Sequence, residues 1–328
     1  MNRELDRRSF LRIGGMSLGF GALYQVAGGM LRRNRLGARI ASAMAAENGE
    51  GPSPFTFVQL SDTHVGFNGP PDPLGTKAFE QAVRTVNRLP QRPDLIIFTG
   101  DLTHDSEKQD ERVARMKMFK QIAAGLGTPN VHYVPGEHDA GIDEGKLYRE
   151  QFGDSSYSFD YRGVHFVALD NVSRPKPEVG AERIAWLKRD LARFPSTTPI
   201  ILFTHRPLFD LKPDWEWFTS DGPDVMNVLA PYENVTVLYG HIHREDIHEI
   251  GHSKHFAARS LIFAFPDPAQ VAEKTPILFD RAAPFKNLGI RVVSESSGGA
   301  ANVDDVELSM NEYSGTVGIQ QLLKRGIV

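Results

Sequence analysis

The 328-residue chain has no cysteine. Disulfide staples, a thiolate metal site and a cysteine nucleophile are therefore excluded, while the redox compartment is left open. A basic excess is also missing: 37 Lys and Arg stand against 41 Asp and Glu, for a net charge of −4. Charged residues at 24% and aromatic residues at 9% are ordinary for a globular chain, and the length suffices for one large α/β domain or two smaller ones. What the chain does have is eleven histidines. Without thiolates, any bound transition ion has to be held by imidazoles and carboxylates.

The charge is unevenly spread. Residues 1–45 hold eight arginines against Glu4 and Asp6, a net of +6, which leaves 29 basic and 39 acidic residues and a net of −10 in the remainder. A body that acidic predicts no nucleic-acid-binding surface. The basic end has its own pattern. In residues 6–12 (DRRSFLR), Arg7, Arg8, Phe10 and Leu11 resemble a twin-arginine export signal, with Asp6 where that pattern has Ser or Thr and Arg12 where it has Lys. Residues 13–31 are uncharged but contain six glycines, which makes them a poor membrane helix. Small-x-small cleavage sites follow at Ala41-Ser42-Ala43 and Ala43-Met44-Ala45. The resemblance implies a signal peptide over residues 1–45, handled by the twin-arginine translocase, and a linker over 46–54. A single domain over 55–328 would then be periplasmic or extracellular, or membrane-anchored if the signal is retained.

Past the linker the chain alternates strand and helix patterns, as an α/β protein does. Strands are expected at residues 55–60, 94–99, 131–134, 157–160, 164–169, 200–204 and 235–239, and helices at 77–89, 107–126 and 182–191. Tyr161-Arg162-Gly163 reads as a hairpin turn. In the last third, strand-like pieces are expected at 261–265, 290–294 and 306–310, with residues 296–301 as a flexible loop.

Polar clusters follow the apolar runs. Residues 55–60 lead to Asp62 and His64, and 94–99 lead to Gly100 and Asp101. Residues 131–134 lead to Gly136, Glu137, His138 and Asp139, 200–203 lead to His205, and 235–239 lead to Gly240, His241 and His243. Loops at the carboxyl ends of strands in an α/β sheet converge on one crevice, so these clusters can meet. Singly each is weak: D-x-H is usually a loop pair and GD usually a turn. Together, seven ligand-type residues at strand ends would be costly to bury without a cation.

The ordered set D-x-H, G-D, G-E-H-D, H, G-H-I-H resembles the calcineurin-like metallophosphoesterases, and within them the cyclic-nucleotide-phosphodiesterase-like branch. The likeness runs from about residue 55 to 243, and the C-terminal ~80 residues match loosely. It implies a four-layer α/β/β/α sandwich with the site at strand carboxyl ends. It also implies two metal ions, Fe paired with Mn, Zn or a second Fe. One ion would take Asp62, His64 and His243, the other Glu137, His205 and His241, with Asp101 between them and His138 beside the scissile phosphate. The implied reaction is hydrolysis of phosphate mono- or diesters by a hydroxide generated at the ions, on a small-molecule or lipid-headgroup substrate.

Two positions depart from the family pattern. Glu137 stands where the family has Asn, which raises the ligand charge from −2 to −3. It either remains a ligand and favours a more highly charged pair, or it weakens hydrolysis and leaves a metal-binding or interaction protein on a phosphoesterase scaffold. His104 stands where many members have an Asp that orients the catalytic histidine. It reads as a hydrogen-bonding neighbour of the metals rather than a ligand; Asp105 follows it, and Asp139 is an alternative orienting partner for His138. His248, His252 and His255 read as surface histidines on a loop. Trp215, Trp217 and Phe218 would form either a substrate wall or ordinary loop contacts, and residues 70–73 (PPDP) a stiff rim.

Overall fold

The protein, seen in a computed structural model, is described over residues 24–27, 30–33, 55–295 and 301–308. The twin-arginine motif, the cleavage sites and nearly all of the 296–301 loop lie outside the described residues. Strands β1 (Tyr24–Ala27) and β2 (Met30–Arg33) pair antiparallel in a separate two-stranded ribbon. None of the described helices is long and apolar enough to cross a membrane.

The body is built on two sheets. The first contains β3 (Thr56–Leu60), β4 (Leu95–Thr99), β5 (Val131–Val134), β12 (Gly289–Glu295) and β13 (Ala301–Glu307), in the order β13-β12-β3-β4-β5. The second contains β6 (Tyr157–Tyr161), β7 (Val164–Ala168), β8 (Ile200–Phe203), β9 (Val235–Tyr239), β10 (Asp246–Ile250) and β11 (Ser253–Ala257), in the order β10-β11-β9-β8-β7-β6. In the second sheet the central strands are parallel and antiparallel strands close both edges, whereas in the first β3, β4 and β5 run parallel out to the β5 edge and only the β12–β13 side is antiparallel.

The continuous apolar runs follow from burial on both faces. Phe57, Ile97, Ile201 and Phe203 point into the core between the sheets, with Phe166 and Phe256. Their neighbours Val58, Ile96 and Phe98 point outward under α1 (Lys77–Asn87) and α2 (Gln109–Ala123), meeting Phe79, Val83 and Phe119. On the other side Ile200, Leu202 and Val237 meet Leu187 and Leu191 of α5 (Ala181–Leu191) and Val225 of α6 (Gly222–Leu229). The short helices α3 (Glu137–Ala140) and α4 (Lys146–Phe152) follow β5. The expected α/β/β/α layering is therefore present. The β6–β7 turn is Arg162-Gly163, both at positive φ (46° and 78°), as a two-residue type I′ loop requires, so Tyr161 belongs to the strand.

The last third departs from the sequence reading. Residues 261–265 are irregular, because this segment leaves β11 and runs across the first sheet's end, where the Leu261 N–H donates to the Ser61 and Asp62 carbonyls. The expected histidine loop is instead the β10–β11 hairpin, turned at Gly251. There His255 is fully buried, and burial pushes its pKa down to about 3. Strand β13 begins five residues earlier than expected. Its Asp304 and Asp305 hid it, yet Asp305 is paired. Arg291 of β12, 1% exposed, donates from Nε and Nη2 to the two Asp305 oxygens at 2.9 and 3.0 Å, and from Nη2 to the Ala257 carbonyl of the other sheet at 2.9 Å.

Arg291 stitches the two sheets through the Ala257 carbonyl, and its removal alone also strands the partly buried Asp305 carboxylate. Arg291→Met is expected to lower unfolding free energy by about 3 kcal/mol or more, and Arg291→Met/Asp305→Leu to recover most of it. Urea unfolding followed by circular dichroism measures both.

Candidate metal centre

The carboxyl ends of β3, β4 and β5 in one sheet and of β8 and β9 in the other meet at one edge of the sandwich. Strands β3, β4 and β9 leave through turns that only unusual backbone can make. Asp62, His64, Asp101, His241 and His243 all sit at positive φ, between 40° and 64°. Such conformations cost about 1–3 kcal/mol each for residues with a Cβ, and they concentrate where function fixes the geometry. Two glycines permit the close approach. A Cβ on Gly100 (φ +93°) would lie 2.4 Å from His205 Nδ1, and one on Gly136 would lie 2.0 Å from Asp101 Oδ1.

Two groups of side chains result. Asp62, His64, Asp101 and His243 bring one ligand atom each within 4.8 Å of the others, and Glu137, His205 and His241 do likewise. The Asp101 Oδ2 lies between them, 3.3 Å from His64 Nε2 and 3.4 Å from His205 Nε2. His243 Nε2 is 3.3 Å from Asp62 Oδ1. Glu137 places Oε1 2.8 Å from His241 Nδ1 and Oε2 2.9 Å from His205 Nε2. The structure thus brings together all seven residues expected from the strand-end motifs.

The outer nitrogens of three histidines decide what the inner ones can do. His205 Nδ1 lies 2.7 Å from the Thr99 carbonyl, His241 Nε2 3.0 Å from the Glu216 carbonyl, and His243 Nδ1 2.9 Å from the Phe263 carbonyl. A carbonyl only accepts, so each outer nitrogen carries the proton and, in the neutral ring, each inner nitrogen is a lone pair. Those lone pairs face carboxylate oxygens, which also only accept. His205 Nε2 and Glu137 Oε2, although 2.9 Å apart, have no hydrogen-bond partner of acceptable geometry, and both are buried. Acceptors converging on acceptors are what a cation resolves, and oxygen with imidazole donors suits a transition ion.

Electrostatics points the same way. Burial opposes every charge here, yet the Asp101 and Glu137 carboxylates raise the His205 pKa well above its usual value. Glu137 is held well below the usual range, against burial, by His241, Arg206 and His205. Asp101 falls to about 2, against burial and Glu137, under the pull of His205, His138 and His64.

His138 borders this cluster. Its N–H donates to Asp101 Oδ1 at 3.0 Å, and its ring lies 4.8 Å from His64 and 4.7 Å from His104. His138 Nδ1 is 3.0 Å from Asp105 Oδ1, so the orienting carboxylate is Asp105 rather than Asp139. Asp139 is buried behind the loops, where it accepts the N–H groups of Leu102, Thr103 and Gly136 at 2.8–2.9 Å and clamps the Asp101 turn. His104 Nδ1 lies 3.3 Å from His64 Nδ1. Against burial, Asp101, the Asp105 hydrogen bond and Glu137 raise the His138 pKa to about 9.

Arg206 was not singled out in the sequence. Its guanidinium lies 3.4 Å from Glu137 Oε1, and adjacency to His205 was the one available signal. Trp215 and Trp217 are buried edge-to-face at 4.9 Å, which makes them loop contacts and not an open wall. Among the described residues, His248, His252 and His255 join no cluster with metal-ligand spacing.

The Calcineurin-like phosphoesterase family matches residues 55–245, which holds every residue of this cluster. The chain belongs to this family. A probable glycerophosphodiester phosphodiesterase, GpdQ, of Arcobacter nitrofigilis is 28% identical over 201 residues, covering 57% of this chain and 71% of that protein. A 3',5'-cyclic-nucleotide phosphodiesterase, alr5338, of Nostoc is 24% identical over 229 residues, covering 64% and 83%. A dimetal phosphatase of Danio rerio shares the fold, with TM-score 0.57 at 12% identity over 78% of this chain and 99% of that one. The family is metal-dependent, and this member's buried acceptor cluster fits that requirement.

Imidazoles and carboxylates bind an ion only when deprotonated, so an entering ion displaces whatever protons the cluster holds. Mn(II) or Zn(II) binding should therefore release protons and strengthen as pH rises. At free ion 1,000-fold above Kd the fold should gain about 4 kcal/mol. Calorimetry in buffers of different ionisation enthalpy reads the first effect and thermal unfolding the second, and Asp101→Asn should diminish both.

Proposed function

We propose that the chain is an exported dinuclear-metal phosphoesterase that hydrolyses phosphate mono- or diesters. The observation that carries the reading is the set of carbonyl-anchored histidines, whose inner lone pairs face carboxylates on both sides of Asp101 Oδ2. Asp62, His64 and His243 would hold one ion, and Glu137, His205 and His241 the other, with Asp101 Oδ2 shared. When bound, the ions supply Lewis acidity to the phosphoryl oxygens and a nucleophilic water at neutral pH.

The chain's own residues supply the rest. Asp105 fixes the His138 ring through Nδ1, which leaves Nε2 free to face the departing oxygen. With its pKa raised to about 9, His138 is protonated at neutral pH and suited to donate a proton to the leaving alkoxide. The relatives named for glycerophosphodiesters and cyclic nucleotides act on phosphate diesters, which favours a diester here. Export rests on the twin-arginine-like residues 6–12 and the uncharged, glycine-rich segment after them. A periplasmic or extracellular enzyme of this kind would scavenge phosphate or turn over small-molecule or lipid-headgroup phosphoesters.

His138→Ala is expected to lower kcat on bis-para-nitrophenyl phosphate about 10²–10⁴-fold with metal content unchanged. The rate should fall as pH rises and His138 loses its proton. Asp105→Asn should move that fall to lower pH, because it removes an interaction that raises the pKa. Absence of turnover on mono- and diester alike with Mn, Fe and Zn, while ions still bind, would instead leave a metal-binding protein on this scaffold.

A further inference from the structure

Glu137 brings a charge that an Asn at this position would not, and the structure shows what faces it. Arg206 is 8% exposed, and its Nη2 lies 3.4 Å from Glu137 Oε1, the oxygen that also meets His241 Nδ1 at 2.8 Å. The arginine is held from three sides. Nη1 donates to the Glu216 carbonyl at 3.0 Å, the same carbonyl that anchors His241. Its backbone N–H donates to Asn171 Oδ1 at 3.3 Å, and its carbonyl accepts from Asn171 Nδ2 at 3.0 Å. Chain connectivity places it directly after His205. The guanidinium stays charged at any working pH, so it is a fixed positive charge at the edge of the cluster.

We propose that Arg206 is the built-in counter-charge to Glu137 and tunes the ion preference of this half of the centre. The inference rests on the two-ion reading above. Asp62, Asp101 and Glu137 contribute −3, and Arg206 returns the total to −2, the charge of the same cage with Asn at 137. Glu137 therefore offers an anionic oxygen donor without the surplus negative charge that would draw a trivalent ion. The pair suits two divalent ions and removes the reason, drawn from ligand charge alone, to expect Fe(III). Arg206 is a positioning and charge-setting residue here, acting through Glu137.

The signs of the effects are fixed by the charges. Arg206→Gln makes the cage more negative, so Mn(II) should bind this half about tenfold more tightly and the protein should retain a larger share of Fe(III) when loaded with mixed iron. Glu137→Asn should weaken it about tenfold and thereby identify which of the two dissociation constants belongs here. Glu137→Asn/Arg206→Gln should return within about threefold of the wild type, and Arg206→Lys should stay close to it. Calorimetric titration of the metal-stripped full chain with Mn(II), with metal analysis after iron loading, gives these values independently of activity. Weaker or unchanged Mn(II) binding in Arg206→Gln overturns the proposal. If that variant fails to fold, comparing Glu137→Asn with Glu137→Asn/Arg206→Gln asks the same question, since the arginine's removal must again tighten binding. Wild-type protein that binds fewer than two ions would overturn the two-ion reading itself, whereas two bound ions with the wrong Arg206 sign overturn only this one.

Discussion

The structure turns on one constraint: lone pairs that face lone pairs inside a closed space. Thr99, Glu216 and Phe263 each present a backbone carbonyl to the outer nitrogen of a histidine. A carbonyl cannot donate, so the choice of tautomer is made by the backbone and not by the histidine. The inner nitrogens are then committed to face Asp62, Asp101 and Glu137. Side chains left to themselves would rotate to pair donors with acceptors, because an unpaired buried polar atom costs about 1–3 kcal/mol. This cluster is denied that relaxation, which marks it as a site prepared for a positive charge.

The fold supplies the denial. The turns after β3, β4 and β9 carry five non-glycine residues at positive φ, and all five belong to the cluster. Strain of that kind persists only when surrounding structure over-determines it. Here the over-determination is visible. Asp139 accepts three N–H groups from two different loops and locks the Asp101 turn to the start of α3. The His241 N–H donates to Asp62 at 3.1 Å, tying the end of the second sheet to the end of the first. Arg291 of the first sheet ties to the second farther along, through the Ala257 carbonyl. The site is thus a property of the seam between two sheets, which neither sheet could form alone.

How much of this could be read in the sequence depends on where the information resides. Strands β3, β4, β8 and β9 are buried on both faces, so their runs are mostly apolar, Thr56, Gln59, Thr99 and Thr236 apart, and easily seen. The ligand-type residues follow those runs immediately, which made their convergence predictable from the rule that strand carboxyl ends share a crevice. Strands β10 and β13 were harder, because polar residues such as His248, Asp304 and Asp305 break the apolar pattern. The irregular segment 261–265 failed in the opposite direction. Its apolar residues pack beneath the cluster without joining a sheet, and its contribution to the site is the Phe263 carbonyl. Backbone carbonyls have no residue type, so that layer of the site leaves no mark in the sequence. The exchange of Asp139 for Asp105 as the partner of His138 has the same origin: both carboxylates are near in sequence, and only the turn geometry decides which one reaches the ring.

Glu137 and Arg206 show why a single departure from a family pattern is poorly judged alone. Adding a carboxylate to a buried cluster that already holds two raises the repulsion among them, and Glu137 does push the Asp101 pKa upward. A lone substitution of this kind would tend to protonate or to expel the new group. Glu137 instead stays ionised, held well below its usual range by His241, Arg206 and His205 despite burial. Arg206 is the permanent charge among the three, while the histidines can serve as neutral donors to an ion. A permanent cation is needed because an imidazole that balances Glu137 by taking a proton is no longer free to coordinate. The arginine carries the charge so that the histidines need not, and this division of labour lets a carboxylate occupy an amide's place without disabling the imidazoles beside it.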